Sequence, residues 1–205
     1  MVTTPTILIA TTNRGKLREV QAVLADLPVR LVGLSGFPDI PEPIEDADTF
    51  EGNARSKAIY YAAKTGVWAL ADDSGLEVDA LGGAPGVYSA RYAGEGGGDA
   101  ANNAKLIEAL RGIPPEQRTA RFRCVVALAR REEVCAIGRG AIEGVIIDEP
   151  RGANGFGYDP HFLVLSLGKT TAELPPEHKN RISHRGRALA DLTPRLRALL
   201  ADQGR

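Results

Sequence analysis

Thr6-Ile7-Leu8-Ile9-Ala10 runs into Thr11-Thr12-Asn13-Arg14-Gly15-Lys16, after which Leu17, Val20, Leu24 and Leu27 recur at helical spacing. The first stretch is mostly apolar with β-branched members, the pattern of a buried strand. The second is polar and turn-forming. The third places its apolar residues on one face of an amphipathic helix. Strand, polar loop and helix in that order open an α/β fold.

Downstream, residues 29–34 have the character of a second strand. Pro38, Pro41 and Pro43 exclude helix interior, so an exposed loop is expected there. Asp48-Thr49 can cap a second helix with Glu51 in its first turn, and Phe50, Ala54, Ala58 and Tyr61 form its apolar stripe. Residues 67–71 read as a strand ending at Asp72-Asp73-Ser74-Gly75. A glycine-rich stretch over 82–98 carries Tyr88, Arg91 and Tyr92, and Asp99 can cap a helix reaching about residue 110. Two long β segments, 120–130 and 134–147, form a hairpin turning at Arg131-Glu132-Glu133. A glycine loop over 152–157, a short strand over 162–165 and a last helix from about residue 183, carrying Leu189, Leu192, Leu196 and Leu199, complete the chain. Strand–helix units around a β-rich middle predict a mixed sheet flanked by helices rather than a purely parallel one. No repeat or linker divides the chain, so residues 1–205 are expected to form a single domain.

The composition sets bounds on function. The 205 residues are 43% hydrophobic and 25% charged, ordinary for a globular protein. A net charge of −1 gives no overall footprint for nucleic acid. No apolar run approaches the ~18 residues of a membrane span. Met1-Val2-Thr3-Thr4-Pro5 has neither a basic start nor an apolar run before a cleavage site, so no secretory signal is read and a cytoplasmic location is expected. Cys124 and Cys135 lie in strand-like surroundings without partners at zinc spacing, which predicts two buried thiols rather than a disulfide or a metal site.

Several groups of residues can carry chemistry. Residues 11–16 follow a strand and open a helix, where backbone N–H groups and the helix dipole favour an anion and Lys16 adds a point charge. An ordinary turn with a solvated lysine is the alternative, and the P-loop pattern G-x-x-x-x-G-K-[ST] is absent. Glu42, Glu45, Asp46 and Asp48 lie in and after the proline loop, and Asp72 and Asp73 at a strand end. Carboxylates drawn from separate segments suit magnesium and a phosphate chain, although Asp-Asp-Ser-Gly is also a turn sequence. Adjacent strand residues point to opposite faces, so Asp72 and Asp73 do not both reach one ion unless the strand has already ended.

Asn53 and Lys57 are four apart and share a helix face, which is otherwise an ordinary solvated face. In Gly155-Phe156-Gly157-Tyr158-Asp159-Pro160 an aromatic on a glycine loop can stack on a base; a strand-entry turn with core aromatics is the other reading. Lys179, Arg181, His184, Arg185 and Arg187 gather cations near a helix start, a position that calls for a facing anion. A basic solvated helix that touches nucleic acid is the competing interpretation.

Together these stretches resemble the Ham1/RdgB-type inosine triphosphatase family. The resemblance is carried by residues 11–16, by Thr49-Phe50-Glu51-Gly52-Asn53-Ala54 with Lys57-Ala58, and by residues 71–75, 82–92, 155–160 and 182–186, in this order. It covers nearly the whole chain. Gly52 is the one departure, since relatives carry a larger residue there. The resemblance implies an elongated mixed sheet in two lobes with a central cleft, a homodimer, and a Mg²⁺-dependent hydrolysis of ITP, dITP and XTP to monophosphate and pyrophosphate that clears the nucleotide pool. It implies that Thr11, Thr12, Asn13, Arg14, Gly15 and Lys16 cradle the triphosphate and that Asn53 and Lys57 steady the phosphates. It implies that Glu45 and Asp73 hold the metal, with Glu42 or Asp46 as substitutes for Glu45, that Asp73 is the base for the attacking water, and that Ser74 contacts substrate. Phe156, Gly157, Tyr158 and Asp159, with Lys179, His184 and Arg185, are implied as the nucleoside pocket.

Two rival readings stand beside it. One is a Maf-like pyrophosphatase with a different base preference, against which Ser183-His184-Arg185 argues. The other is a non-catalytic nucleotide- or RNA-binding module using the basic C-terminal segment. Glu45, Asp72 and Asp73 would repel RNA phosphates unless a metal were present. The partner expected is therefore a small nucleotide, with neither nucleic acid nor membrane involved.

Overall fold

A computed structural model describes residues 4–202. Residues 1–3, part of the stretch read above for a secretory signal, and residues 203–205 lie outside the described residues. The strands are β1 (Thr6–Ile9), β2 (Arg30–Gly33), β3 (Trp68–Val78), β4 (Thr119–Arg130), β5 (Glu133–Ile146), β6 (Phe162–Val164) and β7 (Lys169–Thr170). The helices are α1 (Arg14–Val23), α2 (Phe50–Thr65), α3 (Gly98–Ala109), α4 (Pro176–Ile182) and α5 (His184–Asp202). Seven strands form one sheet in the order β2-β1-β3-β4-β5-β6-β7. β1 runs parallel to β2 and β3, whereas β6 is antiparallel to β5 and β7, so the sheet is mixed.

The chain divides into two compact units. The first comprises the described residues up to Asp73, Cys124–Gly140, and the described residues from Arg185 on. Two apolar clusters serve opposite faces of its strands. Ile7, Ile9 and Leu70 pack with Val20 of α1, with Leu24 at its C-cap, and with Ala188, Leu189, Leu192 and Leu196 of α5. Leu8, Ala10, Ala69 and Ala71 pack with Ala54, Ala58, Tyr61 and Ala62 of α2. The period of two along β1 and β3 assigns odd and even residues to different helices. The second unit comprises Ser74–Arg123 and Ala141–His184. Its core joins Leu76 and Val78 to Leu106 and Leu110, Phe122, Ile142, Ile146, Tyr158 and Phe162.

The structure departs from the sequence reading in several places. β3 does not end at Asp72 but continues to Val78, with Asp72 and Asp73 buried within it. A strand can carry such carboxylates only if they are paired or hydrogen-bonded, and both are. Asp99 sits in the first turn of α3 rather than at its cap; the N-cap is Gly97. The helix α4, not foreseen, begins with Pro176 at its first position, where a missing N–H costs nothing.

Candidate active site

In the first unit, the loop after β1 turns into α1 through Asn13. Its Oδ1 accepts from Gly15 N at 2.8 Å and Lys16 N at 3.0 Å, and Asn13 N donates to Thr11 Oγ1 at 3.2 Å. Asn13 is thus the helix N-cap, and two of the amides expected to meet an anion are held by its side chain. Thr12, Asn13 and Arg14 are exposed, while Thr11, Gly15 and Lys16 are half-buried.

The Lys16 ammonium reaches inward to Asp72, with Nζ 3.1 Å from Oδ2. On the same oxygen Arg185 of α5 donates from Nε at 3.2 Å and Nη2 at 3.0 Å. Its Nη1 donates to Glu19 of α1. Arg185 is 1% exposed and Asp72 3%. Burial by itself would raise the Asp72 carboxyl, but Lys16, Arg185 and Lys57 outweigh it and hold it far below the usual carboxylate range. These cations favour the charged form of Asp72. Arg185, implied for the nucleoside pocket, here has its guanidinium engaged by two carboxylates.

Asp73 follows Ala71 onto the other face of β3, toward α2. Asn53 Nδ2 donates to Asp73 Oδ2 at 3.0 Å, and Asn53 Oδ1 accepts from Ala47 N at 3.0 Å. Burial pushes the Asp73 carboxyl upward, and the charge of Glu45 adds to that against the opposing influence of Lys16 and Lys57. Lys57, one turn beyond Asn53, places Nζ 2.6 Å from Glu45 Oε1 and 3.3 Å from the carbonyl oxygen of Asp72. The neighbouring carboxylates thus differ in environment, as the pleat of a continuing strand requires. Ser74 follows on β3, half-buried.

Two points of local sequence shape this region. Thr49 caps α2 by accepting from Gly52 N at 3.0 Å. A Cβ at Gly52 would lie 2.7 Å from Ala47 Cβ, so the glycine admits the close approach of the loop bearing Glu45. The donors around Asp73 and Glu45 are carboxylates, which suit a hard divalent cation. No group of three or more His, Cys, Asp or Glu placed to hold a metal ion by themselves occurs among the described residues. An ion held by Glu45 and Asp73 would complete its shell with water and phosphate oxygens, as magnesium commonly does.

In the second unit, the 155–160 loop is organised by Asp159. This carboxylate is 2% exposed and receives Lys179 Nζ at 2.5 Å, Thr171 Oγ1 at 2.7 Å and Phe156 N at 2.9 Å. Gly155 has φ +79, and a Cβ there would strike Asp159 Oδ2, so only glycine fits. Gly157 N donates to Asp99 Oδ2 at 2.7 Å and Gly157 O accepts from Asn103 Nδ2 at 2.9 Å, which ties the loop to α3. Phe156 is half-buried, with the Lys179 ammonium 4.8 Å from its ring centre. Tyr158 is 4% exposed, belongs to the core and donates its hydroxyl to Ser89 O at 2.7 Å. Of these two aromatics Tyr158 belongs to the core, whereas Phe156 is half-buried. His184, at the start of α5, lies flat on Phe122 with centroids 4.8 Å apart and planes at 15°.

Sequence reasoning did not find Glu19, Thr171 or Asn103, and it read Asp99 as a helix cap rather than a partner of Gly157. Glu19 lies among polar residues of α1, and nothing in its spacing points to a partner 166 residues away.

The chain is similar to known proteins over most of its length. The profile of the Ham1 family matches residues 7–195. A dITP/XTP pyrophosphatase of Geobacter sulfurreducens is 56% identical over 190 residues, covering 93% of this chain and 96% of that protein. One from Desulforamulus reducens is 52% identical, covering 89% and 91%. Among solved structures, a HAM1 protein from Coxiella burnetii superposes with a TM-score of 0.84 at 45% identity, covering 97% and 99% of the two chains. A dITP/XTP pyrophosphatase from Mycobacterium abscessus gives 0.73 at 46% identity, covering 90% and 97%. With a family match over nearly all its length, and a fold that superposes on solved relatives, the chain belongs to the Ham1 family.

Proposed function

We propose that this chain is a nucleoside triphosphate pyrophosphatase acting on ITP, dITP and XTP, with Mg²⁺ as its cofactor. The observation that carries the proposal is the convergence of Lys16, Lys57, Glu45 and Asp73, from four separate segments, around residues 72–73 of β3. Relatives named dITP/XTP pyrophosphatase support the substrate class.

Glu45 and Asp73 are the residues that would hold Mg²⁺, which when bound supplies positive charge to the phosphates. Asp73 orients water and accepts its proton as the oxygen attacks the α-phosphorus. The bond from the α-phosphorus to the bridging oxygen breaks, and pyrophosphate leaves with its electron pair. Lys16 and Lys57 stabilise the charge that builds on the leaving oxygens. Residues 11–16 receive the phosphates, chiefly through Lys16 and the exposed Thr12 and Arg14. Ser74 contacts substrate.

Phe156 offers a ring face to the base. Hypoxanthine and xanthine bear an oxygen at position 6, which accepts from donors such as His184. Adenine presents an amino group there and would leave those donors facing a donor. Gly157 and Asp159 shape that pocket, and Tyr158 anchors it to the core.

The RNA-binding alternative is opposed by the burial of Lys179 and Arg185, each committed to a carboxylate. We infer that residues 1–205 act as one catalytic domain, working in the cytoplasm as a homodimer on free nucleotides. Among the described residues no helix is long and apolar enough to cross a membrane. The test is a hydrolysis panel of ITP, XTP, GTP, ATP, dUTP and dTTP with Mg²⁺ or EDTA. Preference for ITP and XTP, abolished by EDTA, is expected; preference for dUTP or dTTP would favour a Maf-like activity instead.

A further inference from the structure

Asn53 lies near the start of α2, 3% exposed, and both ends of its amide are engaged. Its Oδ1 accepts from Ala47 N and its Nδ2 donates to Asp73 Oδ2, each at 3.0 Å. The assignment of the two ends is forced: a backbone N–H needs an acceptor and a carboxylate needs a donor. Ala47 stands two residues from Glu45, in a loop without helix or strand of its own. The loop is therefore held at two points by neighbouring turns of one helix, with Asn53 fixing Ala47 and Lys57 fixing Glu45. Asn53 at the same time holds Asp73 on β3.

We propose that Asn53 is a positioning residue for the divalent cation: its amide sets the loop bearing Glu45 against Asp73, and it does not touch the phosphates. This rests on the metal-dependent reading of the site. Only a short side chain with an acceptor and a donor at one end spans a backbone N–H and a carboxylate at once. Aspartate would present an acceptor to Asp73, and glutamine would displace both contacts by a methylene. A hydrogen bond to a charged group, lost together with the anchor of a ligand-bearing loop, raises the dissociation constant of the ion by about 10-fold or more.

The test uses the full chain, with Mn²⁺ as the probe ion counted by electron paramagnetic resonance in the absence of nucleotide. Asn53→Ala should bind Mn²⁺ at least ~10-fold more weakly than the wild type. Turnover lost at low Mg²⁺ should return as Mg²⁺ is raised, with the KM for ITP at saturating metal changed by less than about 3-fold. Asn53→Ser is the second variant should the alanine protein not fold, because its hydroxyl can bond back to the preceding helical turn without reaching Ala47 and Asp73 together. The same loss of Mn²⁺ affinity is expected of it.

Unchanged Mn²⁺ affinity in the folded variant, or a KM for ITP that rises and stays high at saturating metal, would overturn the proposal and make Asn53 a phosphate contact or a structural residue. The two levels of inference fail differently. A wild-type protein that hydrolyses ITP equally well in EDTA defeats the metal-dependent reading itself; one that needs metal but binds no Mn²⁺ without nucleotide defeats the role of Asn53, since no preformed ion site is then present for it to position. A wild-type protein that binds Mn²⁺, alongside an equally competent variant, defeats the role of Asn53 alone.

Discussion

Asp72 and Asp73 are consecutive in β3, yet Asp72 is clasped by Lys16 and Arg185 while Asp73 faces Asn53 of α2. The pleat that sends Leu70 and Ala71 into different apolar clusters sends the two carboxylates to different chemical tasks. One is an anion locked among cations. The other is a carboxylate whose charge burial disfavours.

That division predicts opposite outcomes for two adjacent substitutions. Asp72→Asn removes the charge facing Arg185, which is 1% exposed, and should cost about 3 kcal/mol of stability, in the range for breaking a buried ion pair. Asp73→Asn removes a charge that burial opposes, and should cost less than about 1 kcal/mol in the absence of metal while lowering kcat by at least ~10²-fold. Urea unfolding in EDTA and steady-state kinetics check both. Equal destabilisation by the two variants would contradict the account.

His184 separates base recognition from RNA binding. Its replacement by alanine removes a donor and the stacking on Phe122, and the packing loss affects all substrates alike. The ITP/ATP ratio of kcat/KM should fall by about 3- to 100-fold, the worth of one hydrogen bond. ATP has little to lose at position 6. An unchanged ratio removes His184 from base recognition, and RNA binding that weakens with salt would then favour the rival reading.

Tyr158 provides a pH signature. Burial raises its phenol well above the ordinary value near 10, with Tyr92 and Asp99 adding to it. The neutral phenol is the form that the fold favours. Its contribution is therefore fully present below pH ~10 and is lost as the pH rises beyond that toward the folded value. In a titration followed by tyrosinate absorbance, Tyr158→Phe should leave the native protein's curve unchanged up to about pH 11. Loss of a fifth of the amplitude, one tyrosine in five, would show that Tyr158 ionises normally.

The parts of the fold legible in the sequence are those set by near neighbours. The β1–loop–α1 opening, the cap of α2 at Thr49 and the hairpin of β4 and β5 all follow from turn chemistry and short-range periodicity. The length of β3 did not follow, because Asp72 and Asp73 look like a turn until Arg185, 113 residues away, neutralises one of them. Tyr158 is a core residue for a similar reason: its partner Ser89 lies 69 residues away. Among the site residues, Lys16, Lys57, Glu45 and Asp73 are brought together within the first unit, with Asn53 bonded to Asp73 and Asn13 capping α1.

The most direct test is the identity of the products from ITP. With Mg²⁺ and no contaminating pyrophosphatase, the protein should release IMP and pyrophosphate in equal amounts, and neither in EDTA. Release of IDP and orthophosphate would place the attack on the γ-phosphorus and contradict the proposed chemistry at Asp73.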